Sequence, residues 1–410
     1  MLAGHDTSLS GPMSLRTSPT SVRAYTLTSA LGAGLAAIDE AFAAGRSGLS
    51  DAAWPGCGLD TWLGRVPALD EGFADDIEPR WRCRNNRLAQ LGLEQDGFAA
   101  RVRAAVARYG ADRCAVVIGT STSSIGRTEA AYGDLGADGR FRPAFRQPEV
   151  HNPHSASAFV AARLGLGGPA LTVSTACSSS AKVFASAARW LDCGVADAVV
   201  AGGVDSLCLS VIYGFHSLQL VSSQPCRPFD LERDGISLGE AAGFALLTRE
   251  PQDGNVRLLG YGESTDAYHM SSAHPEGLGA ELAMRAAIER SGLSFADIDY
   301  LNLHGTGTRS NDVIEGSLCA RLFPPSTLRS ATKGWTGHTL GAAGVTEAIF
   351  AMHALVGGFA PGTVNTRSPD PACGAGVLLE GRRAALQRTM SNSFGFGGNN
   401  CSLIFDRPAA

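Results

Sequence analysis

Short apolar runs alternate with helical patterns along most of this chain, and this alternation limits the possible folds more than any other feature. In the first half, apolar runs at 22–28, 113–118 and 197–204 are separated by stretches whose apolar residues recur three and four positions apart. A second series of runs and helical stretches begins at Val256. Strands that alternate with helices predict an α/β fold with largely buried sheets.

The chain has 410 residues, which favours one large domain or two packed halves. A polar break at 251–255 separates the two series, so we predict an N-terminal half over 21–250 and a C-terminal half over 251–410. Residues 1–20 are polar and lack the apolar segment of a secretory signal, which predicts a flexible tail. Residues 127–152 are polar and irregular, and we expect a surface excursion near a partner subunit.

Composition excludes several classes of protein. Hydrophobic residues make up 44% of the chain and charged residues 18%, which suits a globular protein with a large core. A net charge of -5 argues against nucleic-acid binding. Ten scattered cysteines without a CxxC pair indicate a reduced, cytoplasmic protein with neither disulfides nor a metal site. No run of about 18 apolar residues is evident, so we expect no membrane span.

The segment 171–192 places a potential nucleophile where a buried strand turns into a helix. Its apolar run ends at small residues before Cys177, and Val183, Phe184 and Leu191 then recur at helical spacing. The unpaired N–H groups and the positive dipole end of a helix start favour a thiolate. The alternative is a small apolar cysteine that fills a gap in the core, as most free cysteines do.

Five glycine-rich or charged motifs follow Cys177. In chain order they are CRPFDLERDG at 226–235, GEAAG at 239–243, LNLHGTGT at 301–308, ATKGWTGHTLGAAG at 331–344 and SNSFGFGGNN at 391–400. The first alternates in charge and predicts a structural ion-pair network. Together with Cys177, the ordered set resembles the β-ketoacyl-acyl-carrier-protein synthases, the condensing enzymes of fatty-acid and polyketide synthesis. Two positions depart from the family pattern, Asn399 for the usual Thr and Ala242 for a common Gly, and neither removes a catalytic atom.

The resemblance implies the thiolase fold, in which two similar αβαβα halves stack as five layers, and an obligate dimer. A decarboxylative condensation needs a nucleophile for the acyl chain, and Cys177 suits that role. It also needs donors for the malonyl-derived carbanion and for the oxyanion. His304 and His338 suit this second task, because a neutral imidazole N–H donates near neutral pH without full charge. The alternative for each is a core histidine.

The resemblance implies roles for further residues of these motifs. Lys333 and Glu315 match the lysine and the acidic residue of the family's active-site ion network. Glu347 matches a buried structural acid, with a monovalent cation nearby as an option. Thr306 and Thr308, on one side of an extended segment, match the hydroxyls that bind the phosphopantetheine arm of the carrier. No other cofactor and no metal is expected.

The same resemblance implies that the Phe396 N–H is the second oxyanion donor and that the Phe396 ring, with Phe394 beside it, gates the acyl pocket. Flanking glycines make such a hinge reasonable. Phe215 is a candidate pocket wall, with ordinary core packing as the alternative. The basic cluster at 80–87 is either a docking patch for an acidic carrier protein or a solvated face. Its members are Arg80, Arg82, Arg84 and Arg87.

Four segments are similar to the aryl-polyene (xanthomonadin-like) ketosynthases in particular: RNNR at 84–87, GESTDAYHMSSAHPEG at 262–277, TKGWTGHTLGAAG at 332–344 and FGGNN at 396–400. This implies malonyl extension of an aryl starter on carrier proteins, as a homodimer or as a heterodimer with a chain-length-factor-like partner. Housekeeping fatty-acid elongation is the alternative. A degradative thiolase would need a second cysteine, for which Cys401 is the candidate, and a non-catalytic chain-length factor would lack Cys177.

Overall fold

The computed structural model describes residues 17–51, 53–70, 77–250, 256–374 and 376–408. Most of the predicted tail, 1–20, and the predicted boundary at 251–255 therefore lie outside the described residues. The domain limits at 21–250 and 251–410 remain predictions.

The strands are β1 (Thr20–Ser29), β2 (Gly32–Ala33), β3 (Leu63–Gly64), β4 (Cys114–Gly119), β5 (Ala170–Val173), β6 (Ala198–Asp205), β7 (Leu238–Gly239), β8 (Ala241–Thr248), β9 (Arg257–Thr265), β10 (Tyr300–Leu303), β11 (Leu328–Ala331), β12 (Phe359–Ala360), β13 (Arg382–Arg383), β14 (Arg388–Gly395) and β15 (Asn399–Asp406). The α-helices are α1 (Leu35–Ala44), α2 (Arg84–Leu93), α3 (Phe98–Tyr109), α4 (Ile125–Gly133), α5 (Ser155–Leu164), α6 (Ser179–Asp192), α7 (Leu209–Ser217), α8 (Leu278–Ser291), α9 (Arg309–Leu322), α10 (Lys333–Thr336) and α11 (Ala343–Gly357).

Ten strands of the main sheet form two sets of five with the same connectivity. The first set has the order β1-β8-β6-β4-β5, and the second has the order β9-β15-β14-β10-β11. In both sets the three strands farthest from the junction pair in parallel and the remaining pairs are antiparallel. The sets join through the antiparallel pair β1–β9. This repeated order is the two-half thiolase fold that the resemblance implied.

Two central helices, α6 from the first half and α11 from the second, pack against each other. The Val345 N–H donates to Ser180 Oγ at 2.8 Å, and a side chain at Gly344 would lie 2.3 Å from the Ala181 nitrogen. Leu340–Gly357 meets the length and hydropathy of a membrane span, so the expectation that no such run exists is wrong. Because 83% of that segment is buried inside the protein, it is a core helix.

Several predicted elements differ from the observed ones. The helix predicted over 29–47 begins only at Leu35, because β1 continues to Ser29 and folds back onto β2. The strand before Cys177 is not buried: β5 is the last strand of its sheet, and Leu171 is 37% exposed. The segment 127–152 continues α4 to Gly133 before it becomes irregular.

Candidate active site

Cys177 lies in the tight turn between β5 and α6. The preceding residue, Ala176, has a φ of +52°, a left-handed conformation that is uncommon for residues with a side chain. Local hydrogen bonds hold the turn, from Ser178 Oγ to the Thr175 carbonyl at 2.9 Å and from the Thr175 N–H to Ser179 Oγ at 2.9 Å. The Cys177 side chain is buried and lines a cleft.

The Cys177 thiol is protonated in the resting site at neutral pH. Burial raises its pKa to about 11, against the opposing effects of the Lys333 ammonium and of the N–H groups of Phe396 and Cys177 itself. The expectation of a resting thiolate is therefore wrong, because desolvation outweighs the surrounding donors. Those donors remain placed to stabilise negative charge that develops at this position during a reaction.

His304 and His338 lie side by side at the same cleft. Their ring centroids are 5.6 Å apart, and the ring planes are perpendicular. Both are buried, and burial together with the Lys333 ammonium holds the pKa of each imidazole well below its usual value. Both histidines are therefore neutral at physiological pH, as the sequence predicted for donors.

Hydrogen bonds assign the same tautomer to both histidines. The Leu340 N–H donates to His338 Nδ1 at 3.0 Å, and Lys333 Nζ lies 3.1 Å from His304 Nδ1. An ammonium and a backbone N–H can only donate, so each Nδ1 is an acceptor and each Nε2 carries the proton. The Leu340 N–H was missed in the sequence, where no side-chain signal marks a backbone donor.

Lys333 forms its direct ion pair with Glu347, while Glu315, the acid that the resemblance placed in the same ion network, acts on it electrostatically. The Lys333 ammonium also donates to the His304 carbonyl. Glu315 instead accepts the N–H groups of His304 and Gly305, each at 2.8 Å. Burial raises the pKa of both carboxyl groups to about 7, and Lys333 opposes this shift in each.

The cleft at Cys177 has a volume of about 450 Å³ and is lined by most of the predicted site residues. They are Cys177, Phe215, His304, Thr306, Thr308, His338, Phe394 and Phe396. Phe215 and Phe396 form one wall, with ring centroids 5.7 Å apart. Thr306 Oγ1 and Thr308 Oγ1 lie 2.8 Å apart, so both hydroxyls are on one side of their segment, as predicted. Within the described ranges, no His, Cys, Asp and Glu side chains group as metal ligands.

The loop after β14 brings a backbone N–H to the cysteine. Gly395 passes so close that a side chain there would lie 2.9 Å from the Thr175 carbonyl, and the Phe396 N–H then faces the Cys177 sulfur. Gly397 has a φ of +75°, and its N–H donates to the Met270 carbonyl at 2.7 Å. The glycines thus permit the close approach that brings the Phe396 N–H, the oxyanion donor that the resemblance implied, to Cys177.

The predicted docking arginines are largely engaged within the chain. Arg84 pairs with the fully buried Glu240 at 2.6 Å and with Asp70 at 3.0 Å. Arg80 pairs with Glu78, and Arg82 Nε donates to the Ile77 carbonyl at 2.8 Å. Arg84 is therefore a structural cation. Its partner Glu240 was missed in the sequence, although it is the one acidic residue of GEAAG.

The motif at 226–235 forms the predicted structural network. Arg233 is buried and pairs with Asp370 at 2.8 Å and with Asp312 at 3.5 Å. It also donates to the carbonyls of Thr308 and Arg309. The network therefore anchors the segment that carries the two cleft hydroxyls.

Comparisons with known proteins agree with this geometry. Two family models match this chain. The model described as "Beta-ketoacyl synthase, N-terminal domain" matches residues 58–253, and the model described as "Beta-ketoacyl synthase, C-terminal domain" matches residues 256–367. Nodulation protein E of Rhizobium meliloti is 36% identical over 77% of this chain and 80% of its own length. The 3-oxoacyl-[acyl-carrier-protein] synthase 2 of Vibrio cholerae is 34% identical over 84% of this chain and 88% of its own.

Solved structures are similar along nearly the whole chain, and one of them shares a third of its residues with it. It is the ketosynthase ApeO in complex with its chain length factor ApeC from Xenorhabdus doucetiae, with a TM-score of 0.85 and 36% identity over 95% of this chain and 98% of that one. The matched domains and the cleft that joins one cysteine to two neutral histidines lead to the same assignment: this chain belongs to the β-ketoacyl synthase family and is an acyltransferase-type enzyme of the thiolase fold.

Proposed function

We propose that this enzyme catalyses a decarboxylative Claisen condensation between a Cys177-bound acyl chain and malonyl carried on an acyl carrier protein. The observation that carries this proposal is the placement of a buried thiol and two neutral Nε2–H imidazoles along one cleft. A thiol can hold the acyl group, and two uncharged donors can stabilise an enolate without protonating it fully.

The first half-reaction loads the acyl chain. Cys177 Sγ attacks the carbonyl of an acyl-carrier thioester, and the N–H groups of Phe396 and Cys177 stabilise the tetrahedral oxyanion. The Cys177 proton passes to the departing carrier thiolate. The products are acyl-Cys177 and the free carrier thiol.

The second half-reaction makes and uses the carbanion. Malonyl-carrier loses CO₂, and the Nε2–H groups of His304 and His338 stabilise the enolate oxygen of the resulting acetyl thioester. The enolate carbon attacks the acyl-Cys177 carbonyl, the C–S bond breaks, and the 3-oxoacyl-carrier leaves. The Cys177 thiolate then takes up one proton and becomes a thiol again. The negative charge of the malonyl carboxylate, which passed to the enolate and then to the sulfur, is thereby neutralised.

Lys333 positions the donors and keeps them neutral. Its ammonium binds His304 Nδ1, which leaves the proton on Nε2, and it disfavours a second positive charge on either ring. Glu347 balances the lysine charge. Glu315 holds the His304 backbone in place. The thiolase alternative is not favoured, because Cys401 is fully buried in the hydrophobic core and is not among the residues that line the cleft.

We further propose an aryl-polyene intermediate as the acyl chain. The similarity to ApeO over nearly the full chain and the segments at 84–87 and 262–277 support this choice. Thr306 and Thr308 would bind the phosphopantetheine arm of the carrier. The exposed edge of β5, at Leu171, would pair with a second subunit, either a copy of this chain or a chain-length-factor-like partner. The reduced cysteines suit a cytoplasmic enzyme.

A substrate competition tests the proposal. The enzyme, alone and co-expressed with a cysteine-lacking homologue, would be given an aryl-enoyl carrier and a saturated acyl carrier of similar length. We expect a kcat/KM preference for the rigid conjugated chain of about tenfold, or 1.4 kcal/mol. The reverse preference would favour housekeeping fatty-acid elongation, as in the similar 3-oxoacyl synthase of Vibrio cholerae.

A further inference from the structure

A buried carboxylate joins the two halves of the chain directly behind His338. Asp205 ends β6 and is fully buried. Its two oxygens accept six hydrogen bonds, which come from the hydroxyls of Thr120, Ser121 and Thr122, the N–H groups of Ser121 and Thr122, and the Gly341 N–H at 2.6 Å. A carboxylate is suited to this arrangement, because it only accepts.

The contact with Gly341 fixes an unusual backbone next to His338. Leu340 has a φ of +58°, which residues with a side chain rarely adopt. Its side chain is buried against Leu207 and Leu238, and its N–H is the donor to His338 Nδ1. A side chain at position 341 would lie 2.4 Å from the Ser121 nitrogen, so the chain can reach Asp205 only with glycine there.

The same carboxylate fixes the turn that supports the nucleophile. The Thr120 N–H donates to the Val173 carbonyl at the end of β5. A side chain at Gly119 would lie 2.4 Å from the Ser180 backbone, so this turn packs on the first residues of α6. Asp205 Oδ1 therefore contacts only the turn that supports Cys177, whereas Oδ2 contacts both that turn, at Ser121, and the support of His338, at Gly341.

We propose that Asp205 is a positioning residue for His338, an inference that rests on the proposed function. By holding the Gly341 N–H, the carboxylate keeps Leu340 in its left-handed conformation. The Leu340 N–H then keeps His338 in the Nε2–H tautomer that faces malonyl. The sequence carries a signal for this role that was not used. A run of hydroxyl residues follows the buried strand β4, and an acidic residue ends β6, the buried strand that pairs with β4.

Asp205→Asn tests the proposal, because one acceptor oxygen becomes an amide donor in an otherwise similar side chain. We expect CO₂ release from malonyl-carrier to fall by about ten- to a hundredfold, while acylation of Cys177 from an acyl-carrier falls by much less, because the Thr120 N–H still holds the turn to β5. A His338 Nδ1 that has lost its donor can take up a proton, so the acid limb of the CO₂-release profile should move to higher pH. Nitrogen NMR of labelled histidine should show His338 leaving the pure Nε2–H form.

Other titratable groups face this region and stay the same in all variants. They are Lys333, Glu347, His304 and Cys177 around His338, and Cys208 and Glu129 beside Asp205.

Two milder variants form a matched pair that distinguishes the contacts of Asp205 Oδ2 from those of Oδ1. They also test the proposal if the Asp205→Asn protein does not fold. Ser121→Ala removes a hydroxyl that contacts both Oδ2 and the Gly341 N–H, the latter at 3.2 Å. Thr122→Val removes a hydroxyl from Oδ1 only. We expect Ser121→Ala to lower CO₂ release with a shifted acid limb, and Thr122→Val to match the wild type.

The proposal would be overturned if Ser121→Ala and Thr122→Val lost CO₂ release equally. It would also be overturned if Asp205→Asn lost acylation and CO₂ release equally, or if the acid limb of its CO₂-release profile did not move. If the wild type releases CO₂ from malonyl-carrier and Asp205→Asn does so at the same rate, this inference alone fails. If the wild type releases none, the proposed function fails and this inference fails with it.

Discussion

The segments that carry Cys177 and His338 follow the same strand in each half, yet they differ in length and in what they position. In the first half, five residues link β5 to α6, and Cys177 lies among them. In the second half, eleven residues link β11 to α11, and they include α10. Each segment contains one residue with a side chain in the left-handed region, Ala176 or Leu340.

The difference in length follows from the different tasks. A nucleophile needs only a sulfur at a helix start that faces the cleft, and a short turn supplies this. A histidine donor also needs a fixed tautomer and a fixed charge, and the longer segment supplies Lys333 and the Leu340 N–H for that purpose. Burial keeps the Cys177 and His338 side chains neutral at rest, because it raises the pKa of Cys177 and lowers that of His338.

Removal of the sulfur should have the largest effect and should separate the two segments. We expect Cys177→Ser to lower acyl transfer and condensation by about 10⁴-fold or more, because a hydroxyl is a far weaker nucleophile. CO₂ release from malonyl-carrier should persist, since its donors are in the other half. Cys193→Ser, at an exposed cysteine at the end of α6, is the control. Condensation at the wild-type rate would reject Cys177 as the nucleophile.

Removal of either donor should give the reverse pattern. We expect His304→Ala and His338→Ala each to lower CO₂ release by about a hundredfold or more, as loss of one oxyanion donor does. Alkylation of Cys177 by a small reagent should continue. His154→Ala, at an exposed histidine before α5, provides the matched comparison. Wild-type CO₂ release in both site variants would reject the paired-donor arrangement.

Lys333 links the two segments electrostatically, and its removal should change the pH dependence. The ammonium lowers the pKa of His304, His338 and Cys177, so Lys333→Met should raise all three. The acid limb of CO₂ release should therefore move to higher pH, and Cys177 alkylation at a fixed pH should slow by about tenfold for each unit of pKa. Glu347→Gln keeps the lysine and should lower the pKa of Cys177, because the carboxylate raises it, so Cys177 alkylation should become faster. Unchanged profiles would show that Lys333 acts only through packing.

The smallest expected effect concerns a surface outside both segments. Arg80→Glu with Arg87→Glu should raise the KM for carrier-bound substrate by a few-fold and leave Cys177 alkylation unchanged, if these arginines dock the carrier. Arg84→Ala is the contrasting variant, because it leaves Glu240 buried without its partner and should destabilise the fold by about 3 kcal/mol. If the KM for carrier-bound substrate and the rate of Cys177 alkylation change equally, the arginines at 80–87 stabilise the fold and do not dock the carrier.

The sequence alone determined the α/β alternation, and it singled out Cys177 as the candidate nucleophile and the two histidines as candidate donors. Apolar periodicity predicts strands and helices from neighbouring residues alone. The glycine-flanked motifs are also short and contiguous, so their candidate site residues can be identified without a structure. Most predicted cleft residues lie together for this reason, including Phe396 and the hydroxyl pair at Thr306 and Thr308. The repeated strand order was not visible in the sequence, because pairing between distant strands leaves no local pattern.

Only the tertiary structure decided which charges meet and which groups stay neutral. The resemblance placed Lys333 and Glu315 in one ion network, but only the fold shows that Glu347 of α11 is the direct partner of the ammonium. A helix start favoured a thiolate at Cys177, but burial by both halves raises its pKa. Arg84 looked like a surface cation and is the partner of a buried carboxylate. Ion pairing and desolvation depend on neighbours from distant parts of the chain. A sequence therefore identifies the ionisable groups, while the fold determines which of them are charged.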